Sequence, residues 1–176
     1  MNALPCRRQL HPAPPMAGGF TLVELLVVLT VSIILLAAAI PSFSDNLLAV
    51  RLGNHTSTLA GALQKARSEA IKRNTVISVC ASANGSDCAV TGGWEQGWIV
   101  LADSTVLEYQ QALPNGHRLG ERDGTLRLNF QPTGVGVTPA QFTACRATPQ
   151  SRLARTLSVS TTGLTTAIST TVDSCP

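Results

Sequence analysis

Charge is what this 176-residue sequence has little of. Only 13% of its residues are Asp, Glu, Lys or Arg, and the formal net charge is +3. That balance demands neither a nucleic-acid partner nor an anionic surface. Aromatic residues are 4% of the total, too few for a run of base-stacking platforms. Histidine is scarce, and neither His55 nor His117 has a Cys or Ser nucleophile close by in sequence. The His spacing of zinc hydrolases is missing as well. Gly134-Val135-Gly136 after Phe130 lacks the third glycine and following helix of a dinucleotide site, so it reads as a turn. No internal repeat or low-complexity linker is present. These absences exclude a recognisable catalytic constellation: the expectation is no enzyme, no cofactor and no metal. The alternative, a membrane-tethered hydrolase, would need an activity that disappears on replacing His117.

One long apolar run stands out, Phe20 to Ile40, opened by Gly18-Gly19-Phe20-Thr21-Leu22-Val23-Glu24. Fourteen of its 21 residues are Leu, Ile, Val or Phe, and Glu24 is its single charge. At about 1.5 Å per residue a helix of this length covers roughly 30 Å, the thickness of a bilayer's hydrocarbon core. Its apolar side chains favour insertion by several kcal/mol, against about 2.5 to 3.5 kcal/mol for a carboxylate at mid-span and less near the end. The run therefore inserts, and its carboxylate needs a reason. Ala37-Ala38-Ala39 imitates a signal-peptidase site, with Arg7 and Arg8 as the basic flank. The run is too long for a secretory core, however, and Glu24 does not belong inside one. An unprocessed anchor leaves Gly19-Phe20 and Glu24 unexplained. The first 19 residues hold Arg7 and Arg8 and no acid, which keeps them cytoplasmic while the rest crosses outward. A start at Met16 would remove both arginines.

This arrangement resembles the type IV pilin and pseudopilin class. The resemblance implies cleavage by a prepilin peptidase between Gly19 and Phe20, N-methylation of Phe20, and a role for Glu24 in assembly. The cut creates an α-amino cation, and a carboxylate in the same low-dielectric layer is stabilised by a cation a few ångströms away. In the class that cation belongs to the neighbouring subunit; the alternative is the amine of the same chain, one helical turn back. Residues 1–19 then form a leader, 20–41 a transmembrane and assembly helix, and 42–176 a periplasmic head that includes the amphipathic half of the helix. The mature chain keeps eleven basic and ten acidic side chains.

Cys6 leaves with the leader; Cys80, Cys88, Cys145 and Cys175 stay on the oxidising side, where disulfides form. Three connectivities are open. The Asn84-Gly85 turn signal favours Cys80–Cys88, leaving Cys145–Cys175.

Pro41 predicts a kink. Beyond it Leu48, Leu52, Leu59, Leu63, Ala66 and Ala70 recur at helical spacing, so one helix is expected from about Phe20 to Arg73. The period then changes to two. Thr75–Cys80, Gly97–Ala102, Val106–Ala112, Thr125–Phe130, Gln141–Cys145 and Thr156–Ser160 read as strands, with Thr165–Thr170 a weaker seventh. The fold expected is α+β and type IV pilin-like, with one antiparallel sheet wrapped on the helix's second half.

The stretch Leu63 to Asn74 running into Val79-Cys80, then Gly92-Gly93-Trp94-Glu95-Gln96-Gly97-Trp98-Ile99-Val100, is similar to the FimT/GspH family of minor pilins and H-type pseudopilins. Read as structure, Trp94 and Trp98 are core residues beside a glycine turn, and Lys65, Arg67, Lys72 and Arg73 are a solvated helix face. The resemblance implies partners: other pilins or pseudopilins, the prepilin peptidase, the inner-membrane assembly platform and membrane lipid. Type IV pilus and type II secretion both stay open, with Trp94 to Val100 tilting towards the pilus. Some FimT-like pilins bind DNA through a carboxy-terminal Gly-Arg-x-Arg. Here Gly163 is followed by Leu164-Thr165-Thr166, so both arginines are missing. Arg146, Arg152 and Arg155 are the remaining candidate DNA contacts, with Arg118, Arg122 or Arg127 beside them. Such contacts without stacking give weak, salt-sensitive binding, and solvated surface arginines are the simpler reading. A structural subunit is the expected function; a tip adhesin or DNA receptor is the alternative.

Overall fold

The structure, a computed structural model, describes residues 19–175, apart from the side chains of residues 38–42. Residues 1–18 of the expected leader, with Arg7, Arg8 and Met16, lie outside the described residues, as do the side chains of Ala38, Ala39, Ile40 and the Pro41 ring. The chain divides into two compact units, Met1–Pro41 and Ser42–Pro176.

One helix, α1, runs Leu22–Arg73 and contributes to both units. Thr21 caps its start: its Oγ1 accepts a hydrogen bond from the Glu24 amide at 3.2 Å, and its carbonyl accepts one from the Leu25 amide. In the first unit the helix keeps its polar groups to itself. The Thr30 hydroxyl donates to the Val27 carbonyl and the Ser32 hydroxyl to the Val28 carbonyl, so neither asks for water. Phe20, Leu22, Val23, Leu25, Ile33 and Leu36 are all exposed. Among the described residues no helix is long and apolar enough to cross a membrane.

In the second unit α1 is amphipathic. Leu48, Leu52, Leu59, Leu63, Ala66 and Ala70, the spacing expected from the sequence, are all buried. Burying each leucine removes enough apolar surface from water to stabilise the fold by about 1.5 to 3 kcal/mol. The stripe packs into one core with Ile77, Val79, Trp94, Trp98, Val100, Leu119, Phe130, Phe142 and Leu157.

Among the described residues the head holds eight strands in two antiparallel sheets, where one sheet was expected. β1 (Ile77–Ala81), β2 (Trp98–Ala102), β3 (Thr105–Gln110) and β5 (Arg127–Phe130) form the first, in the order β3-β2-β1-β5. The second is β4-β6-β7-β8, with β4 His117–Glu121, β6 Ala140–Arg146, β7 Leu153–Val159 and β8 Thr165–Thr171. β4 had no counterpart among the expected strands. Its sequence, His-Arg-Leu-Gly-Glu, carries one large apolar residue, Leu119, and its pairing with β6 gives it order. Trp94, on a short turn of 3-10 helix (Trp94–Gln96), meets Phe142 of the second sheet edge-on, ring centroids 5.0 Å apart. The Trp94 indole donates to the Thr125 carbonyl at 2.8 Å, so its polar end is also satisfied.

Gly97 enters β2 with φ 105° and ψ 176°, a conformation open essentially only to glycine. A Cβ there would stand 2.5 Å from the Gln110 carbonyl oxygen.

Candidate functional site

At the amino terminus, Gly19 and Phe20 are exposed and precede the helix, and Glu24 lies in its first turn. A carboxylate in that turn also complements the positive end of the helix dipole. Glu24 makes no ion pair among the described residues.

The four cysteines of the head form two bonds, Cys80–Cys88 and Cys145–Cys175, with Cα atoms 5.5 and 5.7 Å apart. The first closes the Asn84-Gly85 loop. There Asn84 Oδ1 accepts from the amides of Ser86 and Asp87, and Gly85 sits at φ 75°. The second ties residue 175 to the end of β6.

The three arginines named as DNA contacts do not form one free patch. Arg152 pairs with Asp173 at 2.7 Å, both side chains well exposed. Arg146 donates from Nε to the Pro149 carbonyl. Arg155, half-buried, donates from Nη1 to Ser169, and its guanidinium carbon is 3.9 Å from where a Cβ would stand on Gly53 of α1. Arg118 is engaged by Glu95 at 2.8 Å, and Arg127 donates to the Cys88 sulfur. On the helix, Lys65 pairs with Glu108, while Lys72 and Arg73 pair with Glu69. Arg67 departs from the solvated face expected of it. It is partly buried and donates to the Gly134 carbonyl, in the turn that imitated a nucleotide loop.

His55 and His117 meet across the fold, which sequence reading did not find. His55 Nε2 and His117 Nδ1 are 2.9 Å apart, one ring donating to the other, with ring centroids at 5.0 Å. One signal was available: His55 falls at apolar-stripe spacing between Leu52 and Leu59. Burial lowers both imidazoles from their ordinary value. His117 and Arg51 depress His55 further, as Arg146 and Arg51 depress His117. Two imidazoles without a third ligand do not make a metal site, and no group of three metal-ligating side chains occurs among the described residues.

The fold has solved counterparts. The chain is similar to the type IV minor pilin FimU of Pseudomonas aeruginosa (strain PAO1), at 23% identity over 71% of this chain and 100% of that one, with a TM-score of 0.56. It also aligns with the minor pseudopilin EpsH from the type 2 secretion system of Vibrio cholerae, at 14% identity over 67% of this chain and 96% of that one, with a TM-score of 0.49. No curated protein matches significantly. The model of the prokaryotic N-terminal methylation motif matches residues 15–40. That of the type II transport protein GspH matches residues 55–163, more than half of the sequence, and the chain belongs to the GspH family, in the FimT/GspH branch of pilin-like proteins.

Proposed function

We propose that the chain is a structural minor pilin or pseudopilin that joins a helical fibre, or its priming tip, after its leader is removed. The observation that carries this reading is the methylation-motif match over residues 15–40, which falls on a capped helix whose large apolar side chains are exposed. Such a surface needs lipid or neighbouring apolar helices around it. On this reading residues 1–19 are the leader, 20–41 the anchoring and assembly helix, and 42–176 the periplasmic head. The chain waits in the inner membrane, and its partners are other pilins or pseudopilins, the prepilin peptidase and the assembly platform.

Cleavage between Gly19 and Phe20 frees an amine for Glu24. The attraction is weak in water and several times stronger at the low effective dielectric of a helix bundle. A neighbouring subunit's amine there sets the axial step between subunits. The test is the mass of the amino-terminal peptide from native membranes, expected to be methylated Phe20. A native protein beginning at Met1 or Ile40 would sink the proposal. Glu24→Gln should leave the head folded and processed but lower its incorporation into fibre; full incorporation would remove the ionic role.

A further inference from the structure

We propose that Arg51, His55, His117 and Arg146 form a binding site for an oxyanion of the phosphate class, and that occupancy is coupled to proton uptake by the histidine pair.

Three elements bring these groups together. Arg51 and His55 stand one turn apart on α1, where side chains four apart are neighbours. His117 of β4 bonds to His55 at 2.9 Å, and its register partner on β6 is Arg146, so both side chains leave the same face of the sheet.

The charges around the pair are of one sign. Arg51 faces it from α1 and Arg146 from β6. Among the described residues no carboxylate bonds to any of them. Nearby, Glu95 holds Arg118, and Asp173 holds Arg152. Gathering cations at a half-buried spot without an anion costs free energy, and these cations already push protons off both rings. A phosphate oxyanion reverses that field. Guanidinium forks match its geometry, and its charge favours the imidazolium form, which turns the pair's outer ring nitrogens into donors. A divalent metal is a poor occupant because two guanidiniums flank the imidazoles.

The ligand is a free phosphate or the headgroup of an anionic lipid. The full chain in dodecyl maltoside micelles is titrated with sodium phosphate against sodium chloride of equal ionic strength, reading the His55 and His117 Cε1–H resonances. Phosphate, and not chloride, should raise the apparent pKa of both rings. A response to phosphatidylglycerol doped into the micelles, without free phosphate, identifies the headgroup as the source. A response to phosphate alone identifies the free ion. Arg51→Gln and Arg146→Gln should each weaken the response about tenfold, as expected for losing one charge-assisted contact, with Trp near-UV circular dichroism unchanged. Lys65→Gln, away from the cluster, should leave it intact. No response to either probe overturns the proposal, and so does an equal response in both arginine variants. Neither result bears on the processing of Phe20, so the pilin reading stands or falls separately.

Discussion

Gly97→Ala should destabilise the head strongly. The new Cβ would stand 2.5 Å from the Gln110 carbonyl and 3.0 Å from that of Ser82, both backbone atoms. Neither is free to retreat, because Gln110 pairs with Trp98 at the β2–β3 edge and the Ser82 amide is bonded to the Gly97 carbonyl at 2.9 Å. A non-glycine residue at this φ and ψ costs about 1 to 3 kcal/mol. The overlap adds a similar sum for forced backbone shifts. Together they remove about 3 to 5 kcal/mol from a fold whose total stability is on the order of 5 to 15 kcal/mol. At about 3 °C per kcal/mol the melting temperature should fall by about 10 to 15 °C. The control is Gly124→Ala, at φ 72° with nothing within 4 Å of the added carbon. It should cost only about 1 kcal/mol, the strain of a left-handed alanine. Thermal melts of both variants, followed by the Trp near-UV band, measure the difference. Equal melting temperatures would refute the argument from steric overlap.

Opening Cys145–Cys175 by a Cys145→Ser, Cys175→Ser double replacement releases a sequence separation of 30 residues, and opening Cys80–Cys88 releases 8. Loop-closure entropy puts these losses at about 3.6 and about 2.5 kcal/mol, and urea midpoints should rank them in that order. Acid should destabilise the head through His55 and His117. Both pKa values are lower folded than unfolded, so their contribution is complete above pH 6.5, the unfolded value, and is lost as pH falls towards the folded values. The slope approaches about 1.4 kcal/mol per pH unit for each ring, and His55→Gln measured in chloride buffer should flatten it. A slope unchanged in that variant would refute the pairing.

The elements legible in the sequence were those whose signal is local. A leucine every three or four residues needs nothing beyond its own helix to be read, and all six positions of the stripe are buried. Asn84-Gly85 announced its loop in the same way. β4 was illegible because Gly120 and three charged or titratable neighbours obscure Leu119, and only the distant β6 orders them. The division into two sheets was hidden for the same reason, since strand partners are set by contacts far apart in sequence. His55 and His117, 62 residues apart, are brought together by the sheet rather than by any spacing. Arg155 reads as a surface cation until Gly53 is placed beneath it.

The bond from Cys175 to β6 has a mechanical side. β8 is the outermost ribbon of its sheet, and most of its side chains face solvent. A pull on the tail would otherwise unzip that ribbon one rung at a time, at low force. With residue 175 stapled two ribbons inward, the load passes directly to β6 and bypasses the rim. The tail can then part from the sheet only by shearing several rungs at once, or by reduction of the staple.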